Sequence, residues 1–361
     1  MRLTLFTRLF LLLTSLLFLS ACSGGQAAAS WPGLTTDGNV AYLAFNQFVY
    51  AIELDTGQQI WRFPAEKAES NLVFYAPPVL ISENELLVGS FAQNGAKPRL
   101  FNLDAATGQQ NWVFEGASNH FVASPLVAND AIYAVNADGN VYALNMNGTE
   151  RWKFKTERSI WASPTTNEAC DCIFVASMDH SLYALDAQTG AQRWKSPDLG
   201  GALASAPAYY DGVLFQGTSD KQMLAIDAAT GKTIWAFNAA GWIWSGAAFQ
   251  DGILYFGDLE GNLYAVDAQT GKQVWTVKAD GAILSKPLIQ NGKIYYSTET
   301  THIYAVDMDG KPQWQQETTA KVYAPVLAAG DLILVSQTDV NSPLVAYSLE
   351  GSLKWSFNLE K

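Results

Sequence analysis

A tryptophan recurs at a nearly fixed interval through this chain: Trp61, Trp112, Trp152, Trp194, Trp235, Trp275, Trp314 and Trp355. Successive spacings are 51, 40, 42, 41, 40, 39 and 41 residues. A period near forty that returns eight times requires one supersecondary unit built eight times and stacked on itself. Each tryptophan closes a similar hairpin. In Leu182–Trp194, Leu182, Ala184 and Asp186 alternate with Tyr183 and Leu185, the period of a strand and not of a helix. The chain then turns through Asp186 to Gly190, where an Asp side chain accepts backbone N–H bonds and glycine tolerates positive φ.

The fullest copies share Ala-x-Asp-x-x-Thr-Gly-x-x-x-Trp: Ala184 to Trp194, Ala225 to Trp235 and Ala265 to Trp275. The second copy has Asn102 for the alanine and the first has Glu53 for the aspartate. The third, seventh and eighth copies, with Gly148, Gly310 and Gly351, have a turn one residue shorter. In all of them the tryptophan lies four positions after the glycine, so its place is anchored to the outer strand. Two further strand signals precede each hairpin. One carries Pro, as in Ala-Pro-Pro-Val (76–79), Ala-Ser-Pro-Leu (123–126) and Ser-Lys-Pro-Leu (285–288); the other follows an Asn/Asp/Gly turn, as in Asp251-Gly-Ile-Leu-Tyr-Phe. Four strands per repeat of forty residues make a propeller blade, and Pro fits a strand at a sheet edge. The expected fold is all-β, an eight-bladed β-propeller of four-stranded antiparallel blades over residues 31–361. A lone blade cannot bury both faces, so the tryptophans are expected to fill the gaps between blades, each burying about 150–250 Å². Losing one should cost about 3–5 kcal/mol.

Residues 1–22 read as a targeting segment, with Arg2 and Arg8 ahead of the apolar run Leu9–Leu19. Leu19-Ser20-Ala21-Cys22 resembles a bacterial lipobox, which implies acylation of Cys22 and a membrane anchor on an aqueous domain. Residues 23–30 read as a flexible tether. Without Arg2 and Arg8, twenty basic residues face 34 acidic ones, a net charge of about −14. Such a surface repels phosphate backbones and anionic headgroups, which argues against a nucleic-acid partner. Cys170 and Cys172 stand two apart in a hairpin loop, where a local disulfide, free thiols or, least of all, a metal site are the readings open to them. No metal site is expected.

The Ala-x-Asp-x-x-Thr-Gly-x-x-x-Trp pattern resembles the tryptophan-docking repeat of the pyrroloquinoline-quinone (PQQ) type propellers, over residues 31–361. Two branches of that family differ in chemistry. Quinoprotein dehydrogenases hold the quinone and Ca²⁺ on the propeller axis with adjacent cysteines, a catalytic Asp and carboxylate ligands. Here no two cysteines are adjacent, the acidic residues sit mainly in repeat turns, and His120, His180 and His302 fall in unrelated blades. No phosphate loop or zinc spacing is present. The expectation is therefore a chain with no catalytic residues and no cofactor. The other branch, the BamB-like lipoproteins of outer-membrane β-barrel assembly, is non-enzymatic. That resemblance implies a monomeric, lipid-anchored scaffold on the extracytoplasmic side, with a protein partner at the cell envelope. A redox-active quinone- or small-molecule-binding propeller and a glycan-binding surface protein are the alternatives.

The candidate binding face comes from residues just ahead of the first strands: Phe74-Tyr75, His120-Phe121, Trp161, Trp242-Ile243-Trp244 and Lys321-Val322-Tyr323. Trp242 and Trp244 lie outside the docking series, and Ser245-Gly246-Ala247 replaces the Pro pattern in their blade. Aromatics at the mouth of a propeller axis suit a peptide strand, a sugar or a flat cofactor; the competing expectation is that they plug the axis or pack between blades.

Overall fold

The computed structural model describes residues 31–169 and 171–359. The acylation expected at Cys22, the preceding targeting segment and the tether lie outside them, as does Cys170. Among the described residues every regular element is a strand. The strands form eight antiparallel sheets in chain order, spanning Gly33–Phe63, Leu72–Phe114, Leu126–Lys155, Thr165–Lys195, Ala208–Asn238, Ala248–Lys278, Leu288–Glu317 and Leu327–Phe357. They are called blades 1 to 8. Within a blade the strands follow one another in space as in sequence, and the fourth carries the repeat tryptophan.

First strands of blades 4 and 5, 6 and 7, 7 and 8, and 8 and 1 lie against one another, so the first strand is the inner edge and the blades close a ring. The apolar core is divided accordingly into one layer per pair of neighbouring blades. Phe174 and Ala184 of blade 4, for example, pack with Leu214, Leu224 and Ile226 of blade 5.

Every repeat tryptophan docks on the next blade in the same way. The Trp194 Nε1–H donates to the Ala228 carbonyl at 3.0 Å, Trp235 to Ala268 at 3.0 Å and Trp61 to Ala105 at 2.9 Å. The acceptor is always the residue after the turn Asp or its counterpart, so the buried indole donor is satisfied by the neighbour's hairpin. The turn glycine of that hairpin lies flat under the indole. A Cβ on Gly231 would stand 2.6 Å from the Trp194 ring, and its φ is +71°. Glycine is thus required twice at this position, for backbone angle and for space.

The seam between blades 8 and 1 repeats this geometry. Trp355 donates to the Leu54 carbonyl at 2.7 Å and lies over Gly57. Ser336 donates to the Pro32 carbonyl at 2.9 Å, and Tyr50 meets Phe357 edge-on at 5.4 Å. Each blade is built from one stretch of chain, with no strand shared across the seam.

Two features depart from the bare repeat. Blade 2 holds a fifth strand, Leu72–Phe74, paired to the end of its long second strand Glu85–Ala92; the segment that carries it and the longer hairpin between Gly89 and Leu100 together make up most of the extra length in the spacing of 51. In every blade the register between third and fourth strands slips just before the tryptophan, as where Ala225 faces Trp235 and Ile226 faces Thr233. The extra residue, Ile234 there, bulges out and is 53% exposed. A bulge in an outermost strand blunts an otherwise unpaired edge.

Candidate functional site

The inner strands set the site. Along residues 160–165 burial alternates, with Ile160, Ala162 and Pro164 buried and Trp161, Ser163 and Thr165 reached by solvent. Residues 160–164 lead into the strand Thr165–Thr166; Ile160 packs into the layer between blades 3 and 4 and Ala162 into that between blades 4 and 5, while Trp161 and Ser163 stay open to solvent. Strand register makes Thr35, Val79, Leu126, Thr165, Ala208, Ala248, Leu288 and Leu327 equivalent. Stepping back by two residues from each gives two further rings around the axis.

The middle ring is Gly33, Pro77, Ser124, Ser163, Ala206, Gly246, Lys286 and Pro325. Its members touch between blades: Ser124 Oγ donates to the Pro77 carbonyl at 2.8 Å, and a Cβ on Gly33 would meet the Pro77 nitrogen at 2.4 Å. The upper ring is Trp31, Tyr75, Val122, Trp161, Ala204, Trp244, Leu284 and Tyr323. Trp161 of blade 4 and Trp244 of blade 6 meet at 6.5 Å between ring centroids, across the small Ala204 of blade 5. Side chains of non-adjacent blades meet only where the blades converge, so this pair marks the axis. Trp31 and Tyr323 meet at 5.9 Å on the same ring, and Lys321 Nζ sits 6.0 Å over the Tyr323 ring. Trp31 is 49%, Trp161 40% and Trp242 48% exposed.

The structure therefore brings Trp161, Trp244 and Tyr323 to one ring, places Lys321 against it, and sets Trp242 two residues further out. Tyr75 joins the ring, whereas Phe74 and Phe121 are buried in the layers between blades. His120 stacks on Phe91 at 3.6 Å, and Phe91 meets Tyr75 at 5.2 Å, extending the aromatic surface outward from blade 2. Sequence reasoning missed two members. Trp31 stands outside the eight-copy series, and only its match to the slot of Trp161 identifies it. Lys286 fills a slot that is neutral in every other blade, a signal present in the aligned Pro patterns.

Elsewhere the polar groups are absorbed by architecture. Asp227 Oδ1 accepts from the Thr230 N–H at 2.8 Å and its hydroxyl at 2.7 Å, and Asp186 and Asp267 do the same with Thr189 and Thr270. The hydrogen bond from Arg193, with those from Thr189, holds Asp186 down at about 2. Cys172 is a free thiol among the described residues, and Cys170, the other member of the pair, lies outside them. The Cys172 side chain is spent in the layer between blades 4 and 5, where burial pushes it up to about 11. Among the described residues no group of three or more His, Cys, Asp or Glu is placed to hold a metal ion. A separate recess of about 1050 Å³ at the seam of blades 8 and 1 is lined by polar groups such as Gln59, Asn341 and Asn358, with Arg62 beside them.

A family model described as outer membrane protein assembly factor BamB matches residues 46–172, 138–241 and 227–361. BamB of Burkholderia pseudomallei is 26% identical over 49% of this chain and 45% of its own length. A polyvinylalcohol dehydrogenase of Pseudomonas sp is 28% identical over 38% of this chain and 26% of its own. The chain thus spans less than half the length of these curated relatives. The crystal structure of BamB from Moraxella catarrhalis superimposes with a TM-score of 0.68 at 19% identity, covering 87% of this chain and 92% of that one, a likeness of fold.

Proposed function

The chain belongs to the family described as outer membrane protein assembly factor BamB, and from that premise we propose that it is a non-enzymatic scaffold of the cell envelope. In this reading Cys22 carries a lipid anchor on the extracytoplasmic side, and the propeller works as a monomer that presents the aromatic mouth of its axis to a protein partner of outer-membrane assembly. One observation carries the reading: the surface left over once the repeat is accounted for is aromatic and half-exposed, and rides on a rigid ring. Aromatic side chains offer large contact area at small entropic cost, which is why they dominate protein interfaces.

The matched dehydrogenase favours a second reading, a quinone-binding enzyme. The residues of the upper and middle rings do not fit that group. Neither ring holds a carboxylate to ligate calcium, and neither holds a cysteine. The scaffold reading therefore operates without a resident cofactor.

A photoreactive amino acid placed at Tyr323 should cross-link an envelope protein in cells, whereas the same probe at Ile234 on the outer edge should not. Trp242→Ala with Trp244→Ala should reduce that cross-link without a large change in melting temperature. Unfolding of the double variant would show these residues to be core. A visible chromophore and dye reduction on adding the quinone and Ca²⁺ to the purified protein would replace the scaffold by an enzyme.

A further inference from the structure

The joint between blades 8 and 1 is the one that the described backbone does not span, and the recess of about 1050 Å³ opens there. The fourth strand of blade 1, Gln59–Phe63, forms one wall; Val340 and Asn341 form the other, with the end of the last strand, Leu353–Phe357. Successive strand side chains face opposite ways. Trp61 is buried against blade 2, so Arg62, the next residue, faces blade 8. The floor is the buried edge-on pair of Tyr50 and Phe357. Arg62 is the one charged side chain among the described residues that line the recess. Its guanidinium lies 4.8 Å over the Phe48 ring, and its Nε–H donates to the Ala65 carbonyl at 3.4 Å. These two contacts aim the group and leave both Nη atoms open. Among the described residues no carboxylate forms an ion pair with it, in a chain of net charge −12. Around it stand Gln59, Asn341 and Asn358. Asn341 is held through its backbone, by its N–H to Asp339 Oδ1 at 2.9 Å and by its carbonyl, which accepts from Leu359 at 2.9 Å; its side-chain amide is left to a ligand.

We propose that this recess binds a saccharide that carries one carboxylate, a sugar of the uronic-acid type, with the carboxylate on the Nη edge of Arg62 and the hydroxyls on Gln59, Asn341 and Asn358. A guanidinium takes a carboxylate through two parallel N–H bonds. A side-chain amide both donates and accepts, as a sugar hydroxyl does, so amides from two facing blades match a body covered in hydroxyls. Val340, 57% exposed at the rim, offers an apolar surface to the C–H face of a ring. The volume stands at the upper end of the range for small-molecule sites, about 300–1,000 Å³, and suits a ligand of disaccharide size. A peptide fits less well. Phe45, Tyr50 and Phe357 are buried and present no pocket for a side-chain anchor. The recess shares no residue with the axial rings, so the site goes beyond the scaffold reading and does not depend on it.

Calorimetric titration of the purified protein at fixed ionic strength tests this with four probes: cellobiouronate, its neutral counterpart cellobiose, propionate, and a Gly-Asp-Gly peptide blocked at both ends. Cellobiouronate should bind one to one, and the other three about tenfold or more weaker. Arg62→Gln should bring cellobiouronate down to the level of cellobiose. Gln59→Ala with Asn341→Ala should weaken both disaccharides and keep their ratio. The comparison of the four probes needs no substitution, so it decides even if a variant fails to fold. No binding of cellobiouronate, equal binding of the two disaccharides, or propionate or the peptide binding as tightly as cellobiouronate would overturn the proposal. Unchanged cellobiouronate binding in a folded Arg62→Gln would overturn it too. An unchanged cross-link at Tyr323 beside absent saccharide binding would remove this site and leave the scaffold reading standing.

Discussion

The turn glycines show how one residue type is fixed by two independent demands. Gly231 and Gly212 have nearly the same backbone angle, φ +71° and +77°, but a Cβ on Gly231 strikes the Trp194 indole whereas one on Gly212 meets nothing within 4 Å. Gly212→Ala should therefore cost only the left-handed strain, about 1–2 kcal/mol. Gly231→Ala should add the overpacking of the indole, about 1–3 kcal/mol more. Urea unfolding of the two variants measures the difference, and equal costs would mean that the indole moves aside freely. The pairing of this glycine with a tryptophan was legible in the sequence, because the offset of four survives both turn lengths. Which blade received the tryptophan was not, since that contact joins residues 37 apart and carries no local signature. Lys286 was harder still: a lysine before a proline is ordinary in isolation, and it stands out only when the slot is compared across all eight blades.

At the scale of the blade, the hairpin turns set a pH dependence. Hydrogen bonds hold Asp104, Asp186, Asp227 and Asp267 below the usual carboxylate range, chiefly from the threonine three residues on and, for Asp186, first from Arg193. A carboxylate whose pKa is depressed by folding adds stability above its unfolded value, near 4, and loses it as pH falls through the folded value. For Asp186 that window runs from about pH 4 down to about 2. The urea midpoint should then hold level from pH 7 to about 5 with respect to these groups and drop steeply below about 4. Asp186→Asn should lower the midpoint at pH 7 and make the acid slope shallower; an unchanged slope would show that solvent screening has removed the effect. The strands and turns of the blade were readable from period and turn chemistry. Two departures were not. The strand Leu72–Phe74 is too short an apolar run to stand out, and the bulge at Ile234 follows from sheet twist at an outer edge, which residue types alone do not encode.

At the scale of the ring, the last seam is the one joint the backbone does not span. Trp31 precedes the first strand of blade 1 and Trp355 lies in the fourth strand of blade 8, and every contact between those two blades is non-covalent. Seven tryptophans join blades that the chain also tethers, whereas Trp355 joins blades at opposite ends of the chain. Loss of an internal docking tryptophan leaves its two blades at high effective concentration, but loss of Trp355 leaves the end blades free to part. Trp235→Ala and Trp355→Ala should each cost about 3–5 kcal/mol in global stability. Only Trp355→Ala should also let blades 1 and 8 open below the global transition, because repeat arrays come apart at their weakest interface. Native-state hydrogen exchange makes the distinction. In Trp355→Ala the amides of Val40–Phe45 and Leu332–Ser336 should lose protection well before those of Val213–Gly217, while Trp235→Ala should leave Val40–Phe45 protected. Uniform loss in both variants would mean that the ring unfolds as one unit and that the seam is no weaker than the joints the backbone spans.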